Sequence, residues 1–166
     1  MSIFLREHYG NSRLSALQIV KDPILFLAFG FGSGLSKAMP GTMGTLAAIP
    51  VYLALLQTGQ IIYLLITLAI VAVGISICDR AAKKLDVHDF GGIVWDEIAG
   101  FLITMFGVTY SWQSLLAGFV LFRLFDIVKP WPIKWLDRHV QGGFGIMLDD
   151  VVAGIFAAVV LRFWYQ

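Results

Sequence analysis

The 41 positions between Lys37 and Asp79 contain no Asp, Glu, Lys or Arg. A run of that length exceeds what one core helix needs and suits two helices of about 20 residues, each able to cross ~30 Å of hydrocarbon. The only markedly polar tetrapeptide inside it, Gln57-Thr58-Gly59-Gln60, predicts the turn of a helical hairpin. The second arm, Ile61 to Cys78, is the strongest apolar span of the chain, whereas Pro50 is expected to interrupt the first. Another charge-free run, Ile98 to Phe122, suits one crossing or two short arms turning at Thr109 to Ser114. The two short arms are favoured, because they set Asp96 and Glu97 level with Arg123 and Asp126 at one end of a bundle. A last span, Val151 to Leu161, begins after Asp149 and Asp150 and ends in Arg162-Phe163-Trp164-Tyr165, the pattern of an interfacial aromatic anchor with a snorkelling Arg. Pro23 to Gly34 is too short to cross and is expected to be re-entrant or interfacial.

The chain is 58% hydrophobic and only 14% charged, against roughly 25% charged residues in soluble domains. The expected fold is therefore all-α: one membrane-embedded domain over residues 1–166, a bundle of short helices and helical hairpins with the Gly-rich N-terminal segment lying re-entrant or at the interface. On this topology every charged residue except Arg162 falls on one side, which the distribution of Lys and Arg makes cytoplasmic, residues 1–22 included. A net charge of +1 excludes the basic surface that nucleic acid requires. The single Cys78 excludes a disulfide framework and a Cys-rich zinc module. The first 22 residues lack the sustained apolar stretch of a cleavable signal peptide. The bilayer is the partner the composition implies, and no obligate protein partner is inferred.

Four constellations carry chemistry. Asp96 and Glu97 open an apolar helix. Capping and the helix macrodipole explain them blandly, and a hard-cation site explains them functionally, because carboxylates at a water-accessible membrane face suit Mg²⁺. Asp149 and Asp150 repeat the form, and two helix starts bearing paired acids would repel one another in a low dielectric unless a divalent cation lay between them. Arg123 and Asp126 share a helix face, as a mutually satisfied pair or as functional groups, with Lys129 three residues further on before Pro130 and Pro132. Finally, Gly30 to Ser36 and Pro40 to Thr45 bracket Lys37 with glycines and hydroxyls that permit close approach to a phosphate. His88-Asp89 reads as a solvated loop or as ligands, and Asp79, Lys83 and Asp86 read as a solvent-facing ion-pair row.

Taken in order, FGSGLSKAMPGTMGT (residues 31–45), Val87-His88-Asp89, IVWDE (93–97), RLFDIVKPWP (123–132) and GGFGIMLDDVVAG (142–154) resemble the bacterial phosphatidylglycerophosphatase A family over nearly the whole chain. The resemblance implies a Mg²⁺-dependent lipid phosphatase of the bacterial inner membrane, multi-pass, with its site facing the cytoplasm, converting phosphatidylglycerophosphate into phosphatidylglycerol and phosphate. It implies Asp96, Glu97, Asp149 and Asp150 as metal ligands, one carboxylate orienting or deprotonating the attacking water, and Asp126 as a further catalytic group. It places Arg123, Lys129 and Lys83 on phosphate oxygens, Ser33, Ser36 and Thr42 over the head group, and His88 and Asp89 in the substrate site. Lys37, Asp79 and Asp86 fall where the family pattern does not ask for them. Direct attack by water is favoured over an Asp or His nucleophile.

The motifs of cysteine phosphatases (Cys-x5-Arg), aspartyl-phosphate enzymes (Asp-x-Asp), acid-phosphatase-like lipid phosphatases and CDP-alcohol phosphotransferases are absent from the sequence. The rival reading from a different class is a small ion or proton carrier that uses Arg123 and Asp126 as pathway groups.

Overall fold

The computed structural model describes residues 15–87 and 90–165, and within them it is all-α, with no strand. Two short helices come first, α1 (Ala16–Lys21) and α2 (Pro23–Ala28). Ser15 and Gln18 close a capping box on α1, while Asp22 accepts from the amides of Ile24 and Leu25 and Pro23 fills the first turn of α2. A 3-10 segment, Gly30–Leu35, follows, with positive φ at Gly30, Phe31 and Gly32. The Pro23 to Gly34 region is thus a short helix and a glycine turn, shorter than a crossing.

The first hairpin forms as its charge-free run predicts, from α3 (Pro40–Leu55) and α4 (Gln60–Leu85). Pro50 does not interrupt the first arm: α3 runs through it. Pro50 faces outward, and burial of Ala48, Tyr52 and Leu55 on the inner face holds the helix on both sides of the missing N–H. The second hairpin takes the two-short-arm form, α5 (Trp95–Met105) and α6 (Trp112–Val128), with Ser111 and Ser114 closing a capping box at the start of α6. The chain then turns through Lys129 (φ 45°) and the following prolines into α7 (Ile133–His139).

The last helix departs from the sequence expectation. α8 spans Gly142–Tyr165, so Asp149 and Asp150 sit two turns inside it rather than at its start. Gly143 and Gly145, which precede the helix start expected at Asp149, are packing residues inside α8: a Cβ at Gly143 would collide with the Ile75 carbonyl of α4, and one at Gly145 with the Val140 carbonyl. Arg162, read as a snorkelling anchor, donates through Nη2 to the Phe106 carbonyl at 2.6 Å, tying α8 to the end of α5.

α8 is the central element, packed against α4, α5, α6 and α7. Its crossing with α5 is glycine on glycine: a Cβ at Gly154 would lie 2.5 Å from the Gly100 carbonyl oxygen, and one at Gly100 2.8 Å from that of Asp150. Because Asp96 precedes Gly100 by one turn and Asp150 precedes Gly154 by one turn, this close crossing brings the two acids to the same place. One core gathers Tyr52, Phe101, Leu102, Met105, Phe122 and Leu161, and a second gathers Ile19, Phe29, Cys78, Ile146 and Met147. Apolar side chains also cover the outer faces, including Ile61, Leu65 and Leu68 of α4, Leu116, Val120 and Leu124 of α6, and Val159 and Phe163 of α8. By length and composition, α4 and α8 are long and apolar enough to cross a membrane.

Candidate active site

The first turn of α5, the middle of α8, the last turn of α6 and the short α7 meet around a cleft of about 610 Å³. Asp96, Glu97, Asp126, Lys129, Asp137, Asp149 and Asp150 line it, together with backbone at Gly91 and Gly145. One oxygen each of Asp96, Glu97 and Asp150 can be chosen so that all three lie within 4.8 Å of one another. Asp96 and Asp150 are 9% and 3% exposed, and Asp96 Oδ1, Glu97 Oε2 and Asp150 Oδ2 are buried without a hydrogen-bond partner. Three carboxylates converging with unsatisfied oxygens fit a hard, oxygen-seeking cation of the Mg²⁺ class, which takes few protein ligands. Lysine and arginine leave these three oxygens without a hydrogen bond: Lys129 pairs with Asp137 and Asp149, and Arg123 reaches only the other oxygen of Glu97, at 3.6 Å.

Lys129 Nζ bridges Asp137 Oδ1 and Asp149 Oδ2, both at 2.6 Å. Burial works against its charge, but the hydrogen bonds it donates to Asp137 and Asp149 outweigh that and hold the ammonium above the usual lysine range. Asp149 is thereby a partner of Lys129 and stands outside the three-carboxylate cluster, although its neighbour Asp150 belongs to it. Consecutive helical residues diverge by about 100°, so adjacent acids inside α8 serve different neighbours. Arg123 Nη1 lies 2.6 Å from Asp126 Oδ2 and 3.6 Å from Glu97 Oε1, while its buried Nε has no hydrogen-bond partner. The shared helix face read from spacing is therefore an ion pair, one that also reaches the cluster. The N-terminal turn of α3 closes in from the side: a Cβ at Gly41 would collide with Glu97 Oε1 and sit 2.8 Å from Arg123 Nη1.

The other residues expected in the site are not brought to this cleft. Lys83 lies on the outer side of α4, its side chain 75% exposed and paired with Asp79 at 2.7 Å, in the ion-pair row that spacing predicts. Ser33 Oγ donates to the Phe29 carbonyl at 3.4 Å. Ser36 lines a separate cavity of about 460 Å³ with Lys37, Gly91 and Gly92. Thr42, half-buried in the first turn of α3, lines neither. His88 and Asp89 lie outside the described residues. Asp137 went unread in the sequence: it is separated from Lys129 by the proline turn, and helical spacing carries no information across a chain reversal.

The profile of the family described as phosphatidylglycerophosphatase A matches residues 26–165. The chain belongs to the phosphatidylglycerophosphatase A family. It is similar to the phosphatidylglycerophosphatase A of Escherichia coli (strain K12), at 48% identity over 87% of this chain and 84% of that protein. It is similar also to the phosphatidylglycerophosphatase A of Haemophilus influenzae, at 42% identity over 93% of this chain and 97% of the other. A relative from Bacteroides thetaiotaomicron named as a putative phosphatidylinositol-3-phosphatase is 36% identical over 84% of this chain and 91% of its own. No solved structure matches the chain. The family match spans every element that lines the acidic cleft, from α3 to α8.

Proposed function

We propose that the protein hydrolyses the terminal phosphate monoester of phosphatidylglycerophosphate, giving phosphatidylglycerol and phosphate, at the cleft between α5, α6, α7 and α8. The observation that carries this reading is the convergence of Asp96, Glu97 and Asp150, with buried unsatisfied oxygens, beside Lys129 and Arg123, in a member of this family. Phosphate-monoester hydrolysis is among the slowest uncatalysed reactions, so charge neutralisation and alignment of water must supply most of the acceleration.

Asp96, Glu97 and Asp150 would hold Mg²⁺, with Asp149 at the edge of that set. The bound ion supplies charge neutralisation at the phosphoryl oxygens and lowers the pKa of water. Lys129, held charged between Asp137 and Asp149, offers its ammonium to phosphate oxygens, and Arg123, steadied by Asp126 and Glu97, offers the unused Nε donor. One of the three clustered carboxylates, through the oxygen it does not turn to the ion, accepts the proton of the attacking water as it adds to phosphorus, and the glycerol oxygen leaves with the bonding pair and takes up that proton. The head group passes over the Gly30–Leu35 segment and the start of α3, which carry Ser33, Ser36 and Thr42 on or between them, and the acyl chains stay in lipid.

The lipid setting is part of the proposal. Two helices of crossing length and the apolar outer faces of α4, α6 and α8 support a multi-pass protein. The bias of Lys and Arg supports a bacterial inner-membrane orientation with the cleft toward the cytoplasm. An ion carrier would need polar groups along a path through the bundle. The ionisable residues of α5, α6 and α8 instead collect at the cleft, apart from Arg162, which is tied to Phe106. Purified protein in detergent, given phosphatidylglycerophosphate, tests the hydrolase reading: phosphate appears if it holds, and none appears from folded protein if the chain is a carrier.

A further inference from the structure

α7 carries three kinds of side chain on three sides, and the proposed reaction uses only one of them. The inner side packs on the bundle: Ile133 is fully buried, and Asp137, one turn on, reaches Lys129 at 2.6 Å. At about 100° per residue the remaining side chains fall into two further stripes. Lys134 and Arg138 make one of them. Both are exposed, and no ion pair among the described residues engages either. Trp135 and His139 make the other, their rings stacked with centroids 4.7 Å apart. Trp135 is 51% exposed, and Trp131, in the turn before α7, is 82% exposed.

We propose that the outer side of α7 is a docking surface for the anionic phospholipid head groups of the bilayer that holds the protein, with the helix lying along the membrane surface. The proposal rests on the membrane reading above and adds to it a named helix and a class of lipid. An exposed aromatic patch beside a basic stripe marks a contact surface. Indole, apolar in body and polar at its N–H, suits the boundary between acyl chains and head groups. Lys134 and Arg138, unmatched by protein carboxylates, bring charge complementary to lipid phosphates, and their long stems can lie along apolar surface while the charges stay at head-group level. The patch also continues the outer side of α6: Leu124, Ile127 and Val128 are exposed in its last turns, and Trp131 follows three residues on. An acidic protein would match the two cations but would leave that apolar continuation uncovered. With seven residues α7 is too short to cross, whereas an interfacial helix needs only the stripes it has. The placement has a consequence for the cleft. Because the inner side of the same helix holds Lys129 through Asp137, seating its outer side on the head groups keeps the mouth of the cleft where a lipid phosphate stands, and a substrate is reached without leaving the bilayer.

The test attaches a polarity-sensitive dye at Trp131→Cys, the native Cys78 being buried, in full-length protein reconstituted into phosphatidylcholine vesicles at low salt. Its quenching is compared for small amounts of phosphatidylserine and of phosphatidylcholine that carry a nitroxide near the carbonyl end of an acyl chain. Phosphatidylserine is anionic and is neither substrate nor product of the proposed reaction, so hydrolysis does not enter the readout. The local concentration of the anionic quencher should exceed that of the zwitterionic one at least about fivefold, the effect of one cation at a membrane surface. Lys134→Gln combined with Arg138→Gln should bring the two quenchers level while the dye stays quenched, and Lys134→Arg combined with Arg138→Lys should keep the preference. A dye at Leu65→Cys, on the outer face of α4, should be quenched by both lipids alike. Equal quenching by the two lipids at Trp131→Cys, with Lys134 and Arg138 in place, would overturn the proposal. So would no quenching there while Leu65→Cys is quenched, which would put α7 in water or against protein. No quenching at either position would remove the membrane reading itself, and the docking surface with it.

Discussion

At the residue scale, the three acids of the cleft stand in tension with stability. Asp96, Glu97 and Asp150 converge within 4.8 Å with unsatisfied buried oxygens, an arrangement that costs folding free energy whenever no cation offsets it. Neutralising one of them should therefore stabilise the metal-free protein while abolishing its activity. In EDTA, Asp150→Asn and Glu97→Gln are expected to melt about 2–4 °C above wild type, the shift of about 1 kcal/mol in a chain of this size. Added Mg²⁺ should raise the wild-type melting temperature and leave the variants unmoved; a fall in melting temperature for both variants in EDTA would argue against a strained cluster. Arg123 behaves oppositely. Its removal leaves Asp126 and Glu97 facing each other without a cation, so Arg123→Ala should cost about 3–5 kcal/mol in thermal denaturation. Much of this chemistry was legible in the sequence, because charged residues in so apolar a chain have to gather where water reaches them. The division of labour between Asp149 and Asp150, and the part of Asp137, were not: both depend on which side of a helix meets which neighbour.

At the element scale, two glycine contacts place the acids. The α5 and α8 backbones touch at Gly100 and Gly154, one turn beyond Asp96 and Asp150. Gly154→Val should force the helices apart, at a cost of about 1–3 kcal/mol, and should lower phosphate release more than stability alone explains. A variant of wild-type activity would show that the crossing has slack. Here lies the main misreading of the linear sequence. The linear pattern opens the helix at Asp149 and Asp150, after glycines that weaken an isolated helix, whereas in the bundle those glycines lie inside α8 and let it approach α4 and the Val140 turn. Pro50 misled for the same reason, since burial of Tyr52 and its neighbours outweighs one missing hydrogen bond. The hairpin turns were legible, because polar residues interrupting apolar runs have few other places to go. A smaller contact sits at the start of α2, where Asp22 caps the helix and accepts a hydrogen bond from Lys84 of α4, which holds its carboxyl below the usual range. A depressed carboxyl stabilises the fold above its unfolded pKa of about 4 and loses that contribution as pH falls further. The melting-temperature gap between wild type and Asp22→Asn should accordingly narrow in acid.

At the scale of the whole molecule, the protein is a bundle with apolar outer faces that concentrates charge around a cleft. Orientation can be read by labelling single cysteines with a membrane-impermeant maleimide, since the native Cys78 is buried. Thr58→Cys, in the turn between α3 and α4, should be labelled in intact cells once the outer barrier is opened, and Lys83→Cys, at the far end of α4, only after the inner membrane is permeabilised. The reverse pattern would invert the topology. The central claim, that Asp96, Glu97 and Asp150 form the metal site of a phosphatidylglycerophosphate phosphatase, is tested most directly by the Mg²⁺ dependence of phosphate release in wild type, Glu97→Gln and Asp150→Asn. The account predicts release that saturates with Mg²⁺ and stops in EDTA for the wild type, and a loss of at least about a hundredfold in either variant. Release that persists in EDTA, or variants that keep the wild-type Mg²⁺ dependence and rate, would contradict it.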